Sequence, residues 1–291
     1  MAVYLGSNQA DLLGGNIPSR YEEQLIARTL TTYENSKVST IGSYVFYSYS
    51  NLTSINFPNC ISIGGEAFAY CYSLTTVDFP SCTSIGEFAF YECSNLTSIN
   101  FPNCNYIGDY AFQDCSSLTS ISFPNCSSIG YMAFAFCSGL TSISFPNCSY
   151  IGGEAFRSCL SLISISFPSC TYIGYYAFQS CSNLTSISFP NCSSIGSSAF
   201  LQCDALISVS FPNCSSIGSN AFGGCINLVS INLPDCIFIA STAFYDCMSL
   251  VLVSIPNCSY VGASAFLGCN NLTTISLPKC DYIDNYAFRD C

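Results

Sequence analysis

Twenty-two cysteines are the residues of this 291-residue chain whose type and spacing invite a chemical reading. They form two series of eleven, Cys60 to Cys280 and Cys71 to Cys291, each stepping by 22 residues and lying 11 residues out of phase with the other. Three chemistries compete: paired thiols would be disulfides, converging thiols a metal array, activated thiols nucleophiles. An even cysteine count reads as a disulfide framework in short secreted chains, but this chain is long. Cys60 and Cys71 fall towards opposite ends of a coil, beyond the roughly 7 Å between Cα atoms that a bridge allows. Neighbours within one column are close enough, at about 5 Å, yet an odd-numbered column cannot pair completely. Metal sites favour Cys-x-x-Cys spacing, and no such pair occurs. Histidine is absent, which removes the commonest general base, metal ligand and thiol activator. The cysteines therefore read as two columns of buried free thiols that pack as small hydrophobes. No catalytic, metal or cofactor-binding residue is expected, and the chain reads as not an enzyme.

The charge balance excludes further classes. Six basic residues face 17 acidic ones, a net charge of -11, and between Val38 and Pro278 the only basic residue is Arg157. Nucleic-acid binding needs several cationic side chains to neutralise phosphates, so no nucleic-acid partner is expected. No apolar stretch approaches the roughly 20 residues that span a bilayer, so membrane insertion is not expected either. The opening Met-Ala-Val-Tyr-Leu-Gly-Ser-Asn-Gln lacks the basic and apolar regions of a signal peptide.

The elements that position the cysteines form a repeat. Phe57-Pro58-Asn59-Cys60 recurs with small variations at every step of 22 residues, and eleven prolines from Pro58 to Pro278 keep the same step. The unit reads L-T-S-I-x-F-P-N-C-x-x-I-G-x-x-A-F-x-x-C-x-x from Leu52, after a partial copy with Val38, Ile41, Gly42, Val45, Phe46 and Tyr49. Apolar Ile55 and Phe57 alternate with polar Ser54 and Asn56, the pattern of a half-buried strand, which proline then ends. Ile63-Gly64 predicts an inward contact and a tight turn. Ala67, Phe68, Cys71 and Leu74 suit one helical or 3₁₀ turn facing inward. One unit cannot bury its apolar positions alone, but stacked units share a continuous core.

This pattern resembles the BspA-type leucine-rich repeats of surface proteins in gut and oral anaerobes and in trichomonads, over residues 38 to 291. The family unit usually has about one residue more, with a Ser-Val-Thr-like stretch where this chain has Pro-Asn-Cys. The expected fold is an α/β repeat, a right-handed leucine-rich repeat solenoid of about eleven 22-residue coils with parallel strands on one face. The resemblance implies an adhesin that meets host matrix proteins, placed outside the cell or at its surface. The opening Met-Ala-Val-Tyr-Leu-Gly, followed by such repeats, also resembles proteins of gut phages and prophages, which implies a virion location as the alternative.

Residues 1–37 stand outside the repeat, and Ser19-Arg20-Tyr21-Glu22 has capping-box form. They predict an N-terminal cap with a short helix reaching about Tyr33, followed by the solenoid over 38–291, with a partial repeat at 38–51 and full repeats from 52. The repeat pattern runs to Cys291, which leaves an open rung there and raises end-to-end self-association.

Three surface features compete as contact sites. Outward serines such as Ser142, Ser164 and Ser186 form a hydroxyl-rich strand face, which could meet glycans or another regular surface but reads first as a solvated face kept small and polar. The acidic residues Glu66, Glu87, Asp109 and Asp246 read as solubility charges on the variable side. Nine Asn-x-Ser/Thr sequons, such as Asn51, Asn125 and Asn271, are written automatically by the repeat. Between cysteine and isoleucine, Tyr106, Tyr150, Tyr172, Phe238, Tyr260 and Tyr282 form an aromatic row, whose last three members occupy successive rungs. That row is the candidate binding surface, for a protein or a glycan. The alternative role is a structural spacer or fibre component of a phage virion or cell surface.

Overall fold

The structure is a computed structural model that describes residues 29–291. Its organising unit is a coil of 22 residues in which the chain crosses two parallel ladders. The front ladder has three-residue strands, beginning Thr32–Glu34, Ser54–Asn56, Thr76–Asp78 and Ser98–Asn100 and continuing to Leu252–Ser254. The side ladder has two-residue strands, from Thr40–Ile41 and Ser62–Ile63 to Tyr282–Ile283, in a sheet of 12 strands. Register is fixed by the repeat itself: Ile55 pairs with Val77 and Ile129 with Ile151, each 22 residues on. Apolar side chains therefore fall inward at the same position in every coil.

Stacking coils in register stacks identical side chains. Phe112, Phe134 and Phe156 form part of one ring column, with centroids 5.2 and 5.4 Å apart and planes within 4°. A second column runs from Tyr33 through Phe57, Phe79 and Phe101 to Phe211, and aliphatic Leu233 and Ile255 continue it. The two columns meet at tilted or edge-on angles, as at Phe134 and Phe145, the arrangement that ring quadrupoles favour. The core is thus a continuous spine shared by all coils.

The cysteines flank this spine. All 22 are free thiols; Cys280 is half-buried, Cys291 exposed and the others buried. In one column each thiol donates to the carbonyl two residues ahead, as Cys126 to Ser128 at 3.2 Å. In the other it donates to a phenylalanine carbonyl of the preceding coil, as Cys137 to Phe112 at 3.1 Å. The thiols are thus small apolar fillers that also partner main-chain acceptors the coil encloses.

Two sequence expectations are corrected. The helical or 3₁₀ turn after Ala67 is not formed, and none of the described residues is helical, so the fold is a parallel β-solenoid rather than an α/β repeat. The N–H groups of Glu66, Phe68 and Tyr70 instead donate to the carbonyls of Glu87, Ala89 and Tyr91 on the next coil, each at 2.8 Å. Those of Ala69 and Cys71 turn back onto Glu66 and Phe68 at 3.3 and 3.2 Å. A helix would need the same donors for its own carbonyls four residues back. The alternation sets φ at +53° for Glu66 and +63° for Tyr70, and equivalent residues in the other coils follow, among them Tyr176 and Ser180. Left-handed backbone costs roughly 1–2 kcal/mol for a residue with a Cβ, which the bonds to the next coil offset.

The glycines equivalent to Gly64 begin the expected tight turn, as where Ala89 donates to the Gly86 carbonyl at 3.3 Å and Ala265 to that of Gly262 at 3.2 Å, and they also allow close approach between coils. A Cβ on Gly130 would lie 2.6 Å from the carbonyl carbon of Gly108, and one on Gly174 would lie 2.6 Å from that of Gly152. The asparagine of Pro-Asn-Cys has an equally local reason. Asn103, Asn125 and Asn147 donate their amides to the carbonyls of Pro80, Pro102 and Pro124, at 2.8, 2.9 and 2.7 Å. These bonds tie each corner to the preceding coil. Several sequon asparagines are therefore corner residues.

The helix predicted up to about Tyr33 lies for the most part outside the described residues. Within them, Thr32–Glu34 is extended and pairs with Ser54–Asn56, while Leu30 and Tyr33 are buried in the core.

Candidate binding face

The side ladder decides where the aromatic row points. In the two-residue strands from Thr40–Ile41 to Tyr260–Val261 the second, aliphatic residue is buried and the residue before it faces outward, as in Tyr106–Ile107 and Tyr150–Ile151; in the last rung, Tyr282–Ile283, both are exposed. Tyr106, Tyr150, Tyr172, Phe238, Tyr260 and Tyr282 therefore share one face of one sheet. The structure joins them into two stacks and a singleton. Tyr150 and Tyr172 stack at 5.5 Å; Phe238, Tyr260 and Tyr282 stack in sequence at 4.9 and 5.5 Å, with planes within 10°. Tyr106 stands alone between the rungs of Ser84 and Ser128. Tyr106, Tyr150, Phe238 and Tyr282 are exposed, Tyr106 by 47% and Tyr282 by 55%, while Tyr172 and Tyr260 are half-buried.

The row is electrically quiet. Desolvation, then the carboxylates of Asp109 and Glu87, holds the Tyr106 phenol above its ordinary range. Desolvation, then Asp284, which accepts the Tyr260 hydroxyl at 3.2 Å, does the same for Tyr260. Both phenols are neutral donors at physiological pH.

Between the two stacks, the rungs of Ser194 and Ser216 carry only hydroxyls, and the surface sinks into an open groove of about 360 Å³. Tyr172 and Phe238 stand at its ends, and Ser194, Ser216 and Ser197 contribute hydroxyls. Ser216 donates to Ser194 at 3.0 Å. Tyr175 joins the lining because Gly153 leaves room beneath its ring, where a Cβ would come within 2.7 Å. Sequence reasoning had no place for Tyr175, since it occupies a variable position of the repeat. The glycine 22 residues before it was the available signal.

A second exposed surface also escaped the sequence reading. On the front face, positions that are threonine or serine in most coils become Ile207, Val229, Val251 and Leu252. Leu252 is 63% exposed and Ile207 53%. Contiguous apolar exposure of this kind marks contact surfaces. Elsewhere the front face holds exposed serines, Ser142, Ser164 and Ser186 among them.

Other chemistries find no constellation. Among the described residues no group of three or more His, Cys, Asp or Glu side chains is placed to hold a metal ion. Glu154, the one buried carboxylate among them, accepts from Arg157 and the Tyr131 hydroxyl, both at 2.7 Å, and is fully engaged. No helix among the described residues is long and apolar enough to cross a membrane.

The BspA type leucine rich repeat region matches residues 29–137, 105–214 and 193–291, in six copies. A leucine-rich repeat protein from Bacteroides ovatus superposes with a TM-score of 0.75 at 28% identity, covering 91% of this chain and 77% of that one. A leucine rich cell surface protein from Faecalibacterium prausnitzii gives a TM-score of 0.58 at 24% identity, covering 89% and 79%, a likeness of fold. The leucine-rich repeat protein of T. pallidum gives 0.52 at 28% identity over 59% of this chain and 85% of its own. No curated protein matches the chain.

Proposed function

We propose that this chain, which belongs to the BspA-type leucine-rich repeat family, is a non-enzymatic recognition module that meets a protein or glycan outside the cell through the aromatic face of its side ladder. One observation carries the reading. Phe238, Tyr260 and Tyr282 form a continuous stack of three rings on one sheet, with Phe238 and Tyr282 exposed and Tyr260 half-buried between them. Interfaces concentrate their energy in aromatic anchors held in place before binding, and stacked rungs supply that rigidity. A location outside the cell accords with a cell surface protein among the structural relatives. End-to-end contact between copies through the exposed rung Tyr282–Ile283 belongs to the same proposal.

The test uses beads coated with the protein and a layer of cultured epithelial cells. Replacing Phe238, Tyr260 and Tyr282 together with serine is expected to remove at least nine-tenths of bead retention, since each well-packed aromatic anchor contributes about 2 kcal/mol or more. Serine already occupies this position at Ser194 and Ser216, so the fold tolerates the change. Undiminished retention of the triple variant would sink the proposal.

A further inference from the structure

We infer that the groove between Tyr172 and Phe238 is a binding site for a short stretch of neutral glycan; this rests on the recognition reading and names a ligand class for one part of the same face.

The ends of the groove are prepared ring surfaces. Tyr172 has one face covered by Tyr150, and Phe238 has one face covered by Tyr260. Each stack thus terminates at the groove, and its last ring turns its uncovered face inward. Three coil steps separate the two rings, about 14 Å at the usual spacing between strands, which leaves room for more than one sugar ring. A pyranose presents an apolar C–H face that lies against an aromatic ring, and a rim of hydroxyls that needs hydrogen-bond partners.

The floor supplies those partners. Ser216 donates its hydroxyl proton to Ser194, so the Ser194 proton is directed onward, and both oxygens keep lone pairs for a ligand. Gly196 and Gly218 line the same floor without side chains that would fill it. At about 360 Å³ the groove lies within the size range of small-ligand sites.

Charge narrows the ligand to a neutral one. None of the ten lining residues is charged. An acidic sugar would meet no cation there and would approach a chain carrying a net charge of -11. A cationic ligand would find no carboxylate in the groove to offset its lost hydration.

The experiment is saturation-transfer NMR and calorimetry with maltohexaose, cellohexaose, xylohexaose and mannohexaose, with oligogalacturonate and a heparin oligosaccharide as acidic counterparts. At least one neutral oligosaccharide is expected to bind. Phe238→Ala and Tyr172→Ala should each weaken it at least tenfold, Ser194→Arg should abolish it by filling the floor, and Ser142→Gln, on the front ladder away from the groove, should leave it unchanged. The alanine variants replace outward rings at the surface, so the conclusion does not depend on whether the arginine variant folds. Binding of none of the neutral sugars, binding of the acidic ones alone, or affinity indifferent to Tyr172 and Phe238 would overturn the assignment. The two readings fail separately. Silence towards every sugar, with cell retention still lost in the serine triple variant, removes the glycan and keeps the recognition module. Sugar binding in the groove without bead retention keeps the glycan site and removes the adhesive role.

Discussion

Raising the pH from 8 to 10 is expected to unfold the solenoid. Burial pushes the thiols of Cys60 and Cys126 up to about 11, and those of Cys71, Cys82, Cys170, Cys181, Cys225, Cys236 and Cys269 up to about 12. Cys93, Cys115, Cys159, Cys203 and Cys247 are raised as well, by burial and then by neighbouring thiols of their column. An unfolded thiol ionises near pH 8.5. The folded values lie above that, so the stability of the protonated columns is fully present below about pH 8.5 and is lost as the pH climbs towards 11 or 12. Each such thiol removes about 1.4 kcal/mol per pH unit in that window. Nine of them remove on the order of 12 kcal/mol between pH 9 and 10, comparable with the whole stability of a typical domain.

Circular dichroism and thiolate absorbance followed together should show one shared midpoint in that interval. A native spectrum surviving to about pH 11 would contradict the account. Thiol titration is the companion measurement. At neutral pH the native protein should offer exposed Cys291, and more slowly half-buried Cys280, to a thiol reagent. Unfolded without reductant, it should offer nearly all 22. A count near zero would mean that the columns are bridged.

The second large effect is expected from Phe134→Ala. This ring is fully buried between Phe112 and Phe156 and meets the second column at Phe145. The neighbouring coils are held by two ladders and by corner asparagines, so they cannot collapse onto the space left behind. Truncation at such a site costs about 3–5 kcal/mol, through lost burial and the cavity that remains. Phe288→Ala, at the less buried last rung, should cost less than half as much. Urea unfolding of both variants separates the outcomes: equal, small shifts would mean that the ring column is not the spine of the fold.

The architecture was legible because the residues that build it are chemically uniform from coil to coil. The Leu52-x-x-Ile55-x-Phe57 pattern and the 22-residue step locate the front strand and its inward face. The turn after Ala67 was not legible, for a physical reason. Glu66, Tyr110 and Tyr176 adopt left-handed backbone although none has the local preference of glycine or asparagine. Their conformation comes from hydrogen bonds to the next coil, which a reading of one unit cannot contain. Phe68, Cys71 and Leu74 face inward as expected, but from a run of tight turns rather than a helix. The turn at the glycine was legible, but not the close approach to the preceding coil that its lack of a side chain also serves. The aromatic row was readable position by position, yet its division at Ser194 and Ser216 becomes a groove only when the stacks on either side are seen to end there. Tyr175 enters that groove because of Gly153, a relation between coils.

In the proposed function, recognition runs through the aromatic side ladder and not through the serine front. The most direct measurement compares retention on the same cell surface for three proteins. These are the unaltered chain, the variant with Phe238, Tyr260 and Tyr282 replaced by serine, and a variant with Ser142, Ser164 and Ser186 replaced by glutamine on the front ladder. All three should give the same thermal unfolding profile. The account predicts that the side-ladder variant loses retention while the front-ladder variant keeps it. Retention lost on the front ladder and kept on the side ladder would contradict it.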